Sequence, residues 1–374
     1  MVAWSRVAIV QPYVPSYRRE FFERLIELLR ADHVECFVVA GKPLGDQAAR
    51  GDAINAPWIR YVEPRTIRLG SRRLNLGGSA RAWKDADAVV VGLLGSSIDT
   101  YSAVLSGIRG QVRVGLWGHV KAYTSRSNKA DLALERWQMR HADRVFAYTP
   151  SGGSAALAAG IPASRVTTMM NSIDTDALQR AITDLAEDQV NQFMTRFDLR
   201  PARVVAYVGG LDAAKRIKFL SQSIDELYRI APDIKVIVAG RGSQAVLLQD
   251  SIDRGQVIDL GYAGDVEKAL LGRAATAFLN PGRIGLLAVE ALLLRMPVIT
   301  TSWPFHGPEE EYLIEGTSKF IAPNTPSAYA SYVSQFCDRP RVEGEAWVYP
   351  TMDDMVANFR SGVLLMLQRS STLA

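Results

Sequence analysis

The chain has 374 residues, 48% apolar and 22% charged, with a formal net charge of +4. That length is natural for two domains and long for one core, and the composition is that of an ordinary soluble globular protein. Two cysteines, Cys36 and Cys337, both in apolar settings, suit a reducing compartment and argue against a disulfide framework or a metal centre.

The charge is unevenly spread. Residues 1–175 hold 23 Lys and Arg against 15 Asp and Glu, whereas residues 176–374 hold 20 against 24. A basic first half suits an anionic lipid surface, a phosphate-bearing acceptor or a nucleic acid. No apolar run reaches the length of a membrane-spanning helix. The opening MVAWSRVAIVQP runs into a strand pattern and lacks a small-residue cleavage site, so a cytoplasmic location is expected.

In chain order, RVAIVQP reads as a strand. REFFERLIELLR reads as a helix, because Phe21, Phe22, Leu25, Ile26, Leu28 and Leu29 recur at helical spacing. VECFVVAG, DAVVVGLL and RVGLWGH read as strands, ADLALERWQMRHA as a helix, and DRVFAYTP and VTTMMNSID as strands. Residues 176–200 read as a polar helical connector. The pattern then restarts with the strand RVVAYVGG and the helix IKFLSQSIDELYRIA. The strands IKVIVAGRG, VIDLGYAG, TAFLNPG, PVITTS and KFIAP follow, separated by the helices VEKALLGRA and LLAVEALLLR. TMDDMVANFRSGVLLMLQ closes the chain as an amphipathic helix. Apolar strand runs alternating with helices predict buried parallel sheets, hence an α/β fold. Two such domains in series predict a ligand cleft outside the carboxyl ends of the strands. The chain has no P-loop, HExxH, CxxC, GxSxG or GxGxxG, so the usual marks of NAD, ATP, zinc-hydrolase and esterase sites are missing.

Three stretches carry candidate chemistry. Gly209-Gly210 ends a strand, where glycine lets backbone approach a ligand, and Lys215 and Arg216 follow at the next helix start. On its own this reads as a strand-to-helix turn with solvated charges. It gains meaning beside Asn280-PGRIGLLAVEALLLRMPVITT, where Gly285, Leu286 and Leu287 open another helix. Free N–H groups at a helix start favour anions, and Glu290 further along could accept from ribose hydroxyls. In the first half, Trp117-Gly118-His119 puts an imidazole at a strand end. His33 reads as a surface-turn residue and His141 as part of a basic helix, while His306 follows a strand end in the second half. The loop QPYVPSYRR carries Tyr13, Tyr17, Arg18 and Arg19, and arginines at a helix start oppose its dipole unless an anion offsets them. Arg60, Arg65, Arg68, Arg72, Arg73 and Arg81, with Leu69, Leu74, Leu76 and Trp83, form a basic region readable as a membrane-surface patch or a plain solvated face.

The segments YVGGLDAAKR, KVIVAGRG, DLGYAG and LNPGRIGLLAVEALLLRMPVITT, in that order, resemble the donor domain of the family 4 glycosyltransferases. WGHV, DRVFAYTPSG and NSID resemble segments of that family's first half. The resemblance implies the GT-B fold, two Rossmann-like domains facing a central cleft. These would be residues 1–175 with a C-terminal helix of about 352–374 packing back, and residues 176–351. It implies a retaining, metal-independent transferase that takes a nucleotide diphosphate sugar, UDP-linked or GDP-linked, with no separate cofactor. The donor would meet Gly209, Gly210, Lys215, Arg216, Gly240, Arg241, Tyr262, Gly264, Gly282, Arg283, Gly285, Leu286, Leu287 and Glu290. Lys215 and His119 would be the catalytic pair, and Tyr13, Tyr17, Arg18 and Arg19 would face the acceptor. That acceptor would be a glycan or lipid-linked intermediate, with peripheral association at the inner face of the membrane and no role for nucleic acid.

Two positions depart from the family pattern. Gly282 stands where the first glutamate of the Glu-x7-Glu motif belongs, eight residues before Glu290, and Gly210 replaces an arginine. Arg216, Arg283 and Glu309 are the nearby residues that could stand in. Two other readings stay open: a sugar-nucleotide epimerase of the same fold, and a nucleotide-sugar-binding scaffold without turnover.

Overall fold

The computed structural model describes residues 4–43, 48, 51–63, 65–69, 72–76, 78–121, 123, 129–339 and 346–368; the side chains of 65–69, 72–76 and 129 lie outside that description. The chain divides into two compact units. One comprises Met1–Asn171 and Met352–Ala374, the other Ser172–Thr351.

The first unit is built on strands β1 (Ser5–Gln11), β2 (Val34–Ala40), β3 (Ile59–Tyr61), β4 (Arg65–Leu69), β5 (Arg72–Leu76), β6 (Ala88–Gly92), β7 (Arg113–Gly118), β8 (Arg144–Ala147) and β9 (Val166–Thr168). Helices α1 (Arg19–Ala31), α2 (Ala80–Trp83), α3 (Ile98–Ile108), α4 (Lys129–His141) and α5 (Pro150–Ala158) connect them. Seven strands form one sheet in the order β3-β2-β1-β6-β7-β8-β9, and β4 pairs with β5 in an antiparallel hairpin. All pairings in the large sheet are parallel. Consecutive residues Val7, Ala8 and Ile9 are fully buried because helices cover both faces. Val7 and Ile9 pack with Phe21, Phe22 and Leu25 of α1, whereas Ala8 packs with Val89, Val104 and Leu116. Helix α3, which the sequence pattern did not suggest, starts where the Ser97 hydroxyl accepts from Thr100 N at 3.3 Å.

The second unit repeats the plan. Strands β10 (Val204–Val208), β11 (Lys235–Ala239), β12 (Val257–Gly261), β13 (Phe278–Leu279), β14 (Val298–Thr301) and β15 (Lys319–Ala322) form a parallel sheet in the order β12-β11-β10-β13-β14-β15. Its helices are α6 (Thr175–Asp184), α7 (Glu187–Arg196), α8 (Ile217–Ile230), α9 (Gln249–Asp253), α10 (Asp265–Ala274), α11 (Leu287–Leu293) and α12 (Pro326–Cys337). In each sheet the strand order reverses beside the unit's first strand. In open α/β sheets that reversal opens a crevice at the carboxyl ends; in the second unit it lies between β10 and β13.

One expectation is corrected. Residues 176–200 are not a connector. Helices α6 and α7 belong to the second unit, where Leu178, Phe193 and Leu199 join Val204, Phe278 and Leu292 in one core. Their polar faces hid this, because an amphipathic stripe does not say which core it meets.

The last helix, α13 (Met352–Leu367), belongs to the first unit. Its fully buried Phe359 stacks on Phe146 at 4.5 Å and meets Phe21 and Trp117 edge-on at 5.4 and 5.1 Å. Each crossing of the chain is tied locally. Arg18 Nη2 donates to Asn171 Oδ1 at 2.6 Å and Arg18 Nη1 to Met355 Sδ at 3.3 Å, while Ser172 Oγ donates to the Pro350 carbonyl at 2.6 Å.

Candidate functional site

The loops after β10 and β13 meet at the strand-order reversal of the second unit. After β10 the chain passes Gly209 and Gly210 into a short turn of 3-10 helix that ends at Lys215. Asp212 caps that turn, its Oδ1 accepting from Lys215 N at 3.1 Å. The Lys215 ammonium reaches across to the other loop and donates to the Arg283 carbonyl at 2.6 Å, while Arg283 N donates to Ala214 O at 3.0 Å. Two backbone-level ties thus fix a cation against the glycine-rich loop 282–285.

That loop leads into α11. Ala288 N donates to the Gly285 carbonyl at 2.9 Å, so the first helical turn is hydrogen-bonded from Gly285. Gly285, Leu286 and Leu287 supply the first-turn N–H groups, which have no acceptor inside a helix. Lys215 and this turn together form an anion-friendly corner.

Gly282 has a steric reason. A Cβ there would stand 2.5 and 2.8 Å from the Lys215 carbonyl oxygen and Cα, and closer still to the carbonyl carbon. Main chain cannot yield as a flexible side chain can, so the approach of the Lys215 loop excludes any side chain. Gly240 is constrained likewise: a Cβ on it would overlap the Gly209 carbonyl oxygen. Arg241 contributes its backbone, its carbonyl accepting from Leu211 N at 2.9 Å, and its side chain is exposed. Gly210 accepts from the Tyr207 hydroxyl at 2.7 Å.

Glu290 lies on the first turn of α11, only 13% exposed, and forms an ion pair with Lys268 Nζ at 2.7 Å. Lys268 belongs to α10, whose start follows Tyr262 and Gly264. Tyr262 is 58% exposed, and Gly264 N donates to Glu267 Oε2 at 2.9 Å. The sequence pattern did not mark Lys268: VEKALLGRA reads as an ordinary helix, and its partner lies far along the chain.

Arg216, next to Lys215, is engaged within the unit. It adopts left-handed backbone geometry (φ 57°), and its Nη1 donates to Pro281 O, Thr301 Oγ1 and Asn324 Oδ1 at 2.9, 3.0 and 2.8 Å. Its guanidinium also lies over the Trp303 and Phe219 rings. It ties the ends of β13, β14 and β15 together.

His306 was singled out only for its position after a strand. Its Nδ1 accepts from Ile284 N at 3.2 Å, and the ring also bonds the Trp303 backbone. It pins the glycine-rich loop from behind. Near it, Glu309 is only 6% exposed, with Oε2 3.9 Å from where a Cβ on Gly285 would stand. Burial pushes the His306 pKa below 6.5; Glu310 pulls it up, while Lys319 and Lys215 pull it down. A protonated Nδ1 cannot accept from Ile284. A depressed histidine pKa makes this pin fully effective above about pH 6.5 and lost as pH falls through the lower folded value. The expected outcome is a melting-temperature gap between the native protein and His306→Ala that is constant above that pH and narrows in acid. A gap unchanged to about pH 4.5 would show that the pin does not titrate.

In the first unit, His119 follows β7, with its ring edge-on to Tyr148 at 5.0 Å and to Tyr123 at 6.0 Å. Arg18 and Arg19 part company. Arg18 is 7% exposed, with its guanidinium over the Tyr17, Phe21 and Trp117 rings. Arg19 is exposed and pairs with Glu23 at 3.2 Å, so the two adjacent arginines stand in different surroundings. Tyr13 is buried, and Tyr17 is exposed. The basic region is corrected in part. Trp83 is buried, and Arg60 lies over the Phe37 ring. The side chains of Arg65, Arg68, Leu69, Arg72, Arg73, Leu74 and Leu76 lie outside the described residues. Cys36 and Cys337 are buried, which pushes both thiols up to about 12 and keeps them unreactive. Among the described residues no helix is long and apolar enough to cross a membrane, and no group of three His, Cys, Asp or Glu could hold a metal ion.

Residues 202–339 match the family model of glycosyl transferases group 1. The matched span holds the Lys215 turn, the 282–285 loop, Lys268, Glu290 and His306. No curated protein matches the chain. Among solved structures, HepE from Anabaena in complex with UDP and glucose is similar over 97% of each chain, at 15% identity and a TM-score of 0.61. A glycosyltransferase from Rickettsia africae is similar over 97% of this chain and 96% of its own, at 12% identity and a TM-score of 0.62. The UDP-GlcNAc 2-epimerase of Methanocaldococcus jannaschii with UDP-GlcNAc and UDP covers 95% of this chain and 99% of its own, at 14% identity and a TM-score of 0.60. These likenesses establish the fold: two Rossmann-like units of the GT-B type, shared by transferases and epimerases.

Proposed function

We propose that the chain is a retaining glycosyltransferase that moves a sugar from a UDP-sugar to a glycan or lipid-linked acceptor. The observation that carries this is the Lys215 ammonium, held on the Arg283 carbonyl beside the first turn of α11 at the strand-order reversal. The family-model match spans that corner, and the fold is shared with proteins solved with UDP. In this function the bond from the sugar's anomeric carbon to the diphosphate breaks, an acceptor hydroxyl oxygen takes that carbon on the face the diphosphate leaves, and the hydroxyl proton passes to the departing diphosphate. Negative charge develops on the departing diphosphate, where Lys215 and the N–H groups of Gly285, Leu286 and Leu287 stabilise it without a metal. Glu290 accepts from the ribose hydroxyls, and backbone near Tyr262 and Gly264 meets the base. To the first unit we assign the acceptor, with His119 as the residue that meets a sugar.

The test is thermal denaturation with UDP, GDP, ADP and TDP. A ligand at a hundredfold excess over its Kd stabilises the folded state by about 2.7 kcal/mol. UDP is expected to raise the melting temperature most, and Glu290→Ala to weaken binding about tenfold, the scale of one hydrogen bond to a charged group. No response to any nucleotide by folded protein would rule out the donor site.

A second function, epimerisation of a UDP-sugar, is favoured by the fold likeness to a UDP-GlcNAc 2-epimerase. An epimerase needs no acceptor. Interconversion of UDP-GlcNAc with its epimer by purified protein alone would select it over transfer.

A further inference from the structure

We propose that Lys268 is a positioning residue for the nucleoside: it holds the Glu290 carboxylate aimed at the ribose hydroxyls. This rests on the donor-site function proposed above. Lys268 Nζ contacts Glu290 Oε1 at 2.7 Å and Asp265 Oδ1 at 3.7 Å, and its side chain is 16% exposed. With Oε1 held by the ammonium, Oε2 is the oxygen left to a ligand hydroxyl. The cation also lies between the two elements assigned to the nucleoside: it sits on the helix that follows Tyr262 and Gly264, and it pairs with the carboxylate on α11.

The local charges explain why a cation is needed. Asp265 and Glu290 are close enough to interact, and Asp174, the cap of α6, adds a third acidic group beside Asp265. Burial raises the Asp265 pKa; Lys268 opposes that rise, whereas Asp174 and Glu290 add to it. Burial alone would lower the Lys268 pKa, but Glu290 and Asp265, with a smaller part from Tyr262, more than offset it and keep the ammonium charged. Lys268 is the cation these two carboxylates share, and without it the Glu290 carboxylate loses the contact that fixes its orientation.

The experiment measures the Kd for UDP-glucose and for its 2′-deoxyribose analogue. The native protein is expected to prefer the ribose form about tenfold, the scale of a hydrogen bond to a charged group. Lys268→Met is expected to bind UDP-glucose about tenfold more weakly and to lose that preference. Lys268→Arg, which keeps the charge but not the geometry, should regain part of it with several-fold weaker binding. A Lys268→Met protein that keeps the native preference, with Glu290→Ala having lost it, would overturn the role of Lys268 alone. Should Lys268→Met fail to fold, native affinity and preference in Lys268→Arg would overturn it equally. Native protein that binds neither UDP nor UDP-glucose would overturn the donor site itself, and the role of Lys268 with it.

Discussion

Replacing Lys215 with alanine is expected to lower the turnover of UDP-sugar by about 10²–10³-fold, the usual loss when one preorganised stabilising donor is removed. The size follows from geometry. The ammonium is fixed by the Arg283 carbonyl at 2.6 Å, and its backbone N–H is capped by Asp212 at 3.1 Å. No reorganisation is needed as charge develops on the leaving diphosphate. The same change removes the charged hydrogen bond to Arg283 across the loop pair, which costs about 1.5–3 kcal/mol of stability, so a fall in melting temperature should accompany the loss. Release of UDP from UDP-glucose and UDP-GlcNAc, measured against the native protein, reads the effect. Turnover within a factor of three of native would remove Lys215 from the chemistry and reduce it to a loop tie. Lys215→Arg is not expected to rescue fully, because a planar fork does not reproduce a point charge held on one carbonyl.

The second large effect concerns Gly282. The resemblance to transferases with a Glu-x7-Glu motif invites Gly282→Glu as a repair. The structure predicts the opposite. A Cβ at 282 would stand 2.5 Å from the Lys215 carbonyl oxygen and 2.8 Å from its Cα. Overpacking of this kind costs about 1–3 kcal/mol even where side chains can yield, and here the opposing atoms are backbone. At about 2–4 °C per kcal/mol for a unit of this size, Gly282→Glu should melt several degrees below native. It should also lose turnover, because Lys215 must move away. A variant as stable as native and more active would show that the loop opens readily, and that glycine at 282 is a loss rather than a requirement. Gly282→Ala separates sterics from charge: it carries the clash and no carboxylate, and should show most of the stability loss.

These outcomes also separate what position 282 does from what its neighbours do. His306 and Glu309 come from the loop after β14, and both lie against the 282–285 loop. The loop geometry is therefore set on two sides, by Lys215 and by His306. The Glu290 carboxylate is set independently by Lys268. The backbone of the Lys215 loop occupies the space that a side chain at 282 would need.

The sequence by itself determined the class of fold and where its strands end. Apolar runs such as VVAYV and KVIVA, alternating with amphipathic helices, can be buried only as a parallel sheet covered on both faces, and the structure has two. Gly240 after β11 and Gly282 after β13 marked strand ends because close backbone approach leaves room for no other residue, and Gly209 after β10 did so because its φ of 145° disfavours a side chain. Tertiary structure alone decided which side chains share a site. Arg18 and Arg19 are adjacent in sequence, yet one is buried among aromatic rings and the other pairs with Glu23 at the surface. A helical register turns neighbouring side chains about 100° apart, so adjacency carries no shared environment. Arg216 follows Lys215 in sequence and ties Pro281, Thr301 and Asn324 together, contacts that no local pattern announces. The helices of 176–200 resembled a connector and proved to be part of a core. Lys268 resembled an ordinary helix residue and proved to be the partner of Glu290. Periodicity records which face of an element is apolar; it does not record which distant element that face, or a charge beside it, will meet. That choice is made by packing, through contacts between residues far apart in the chain.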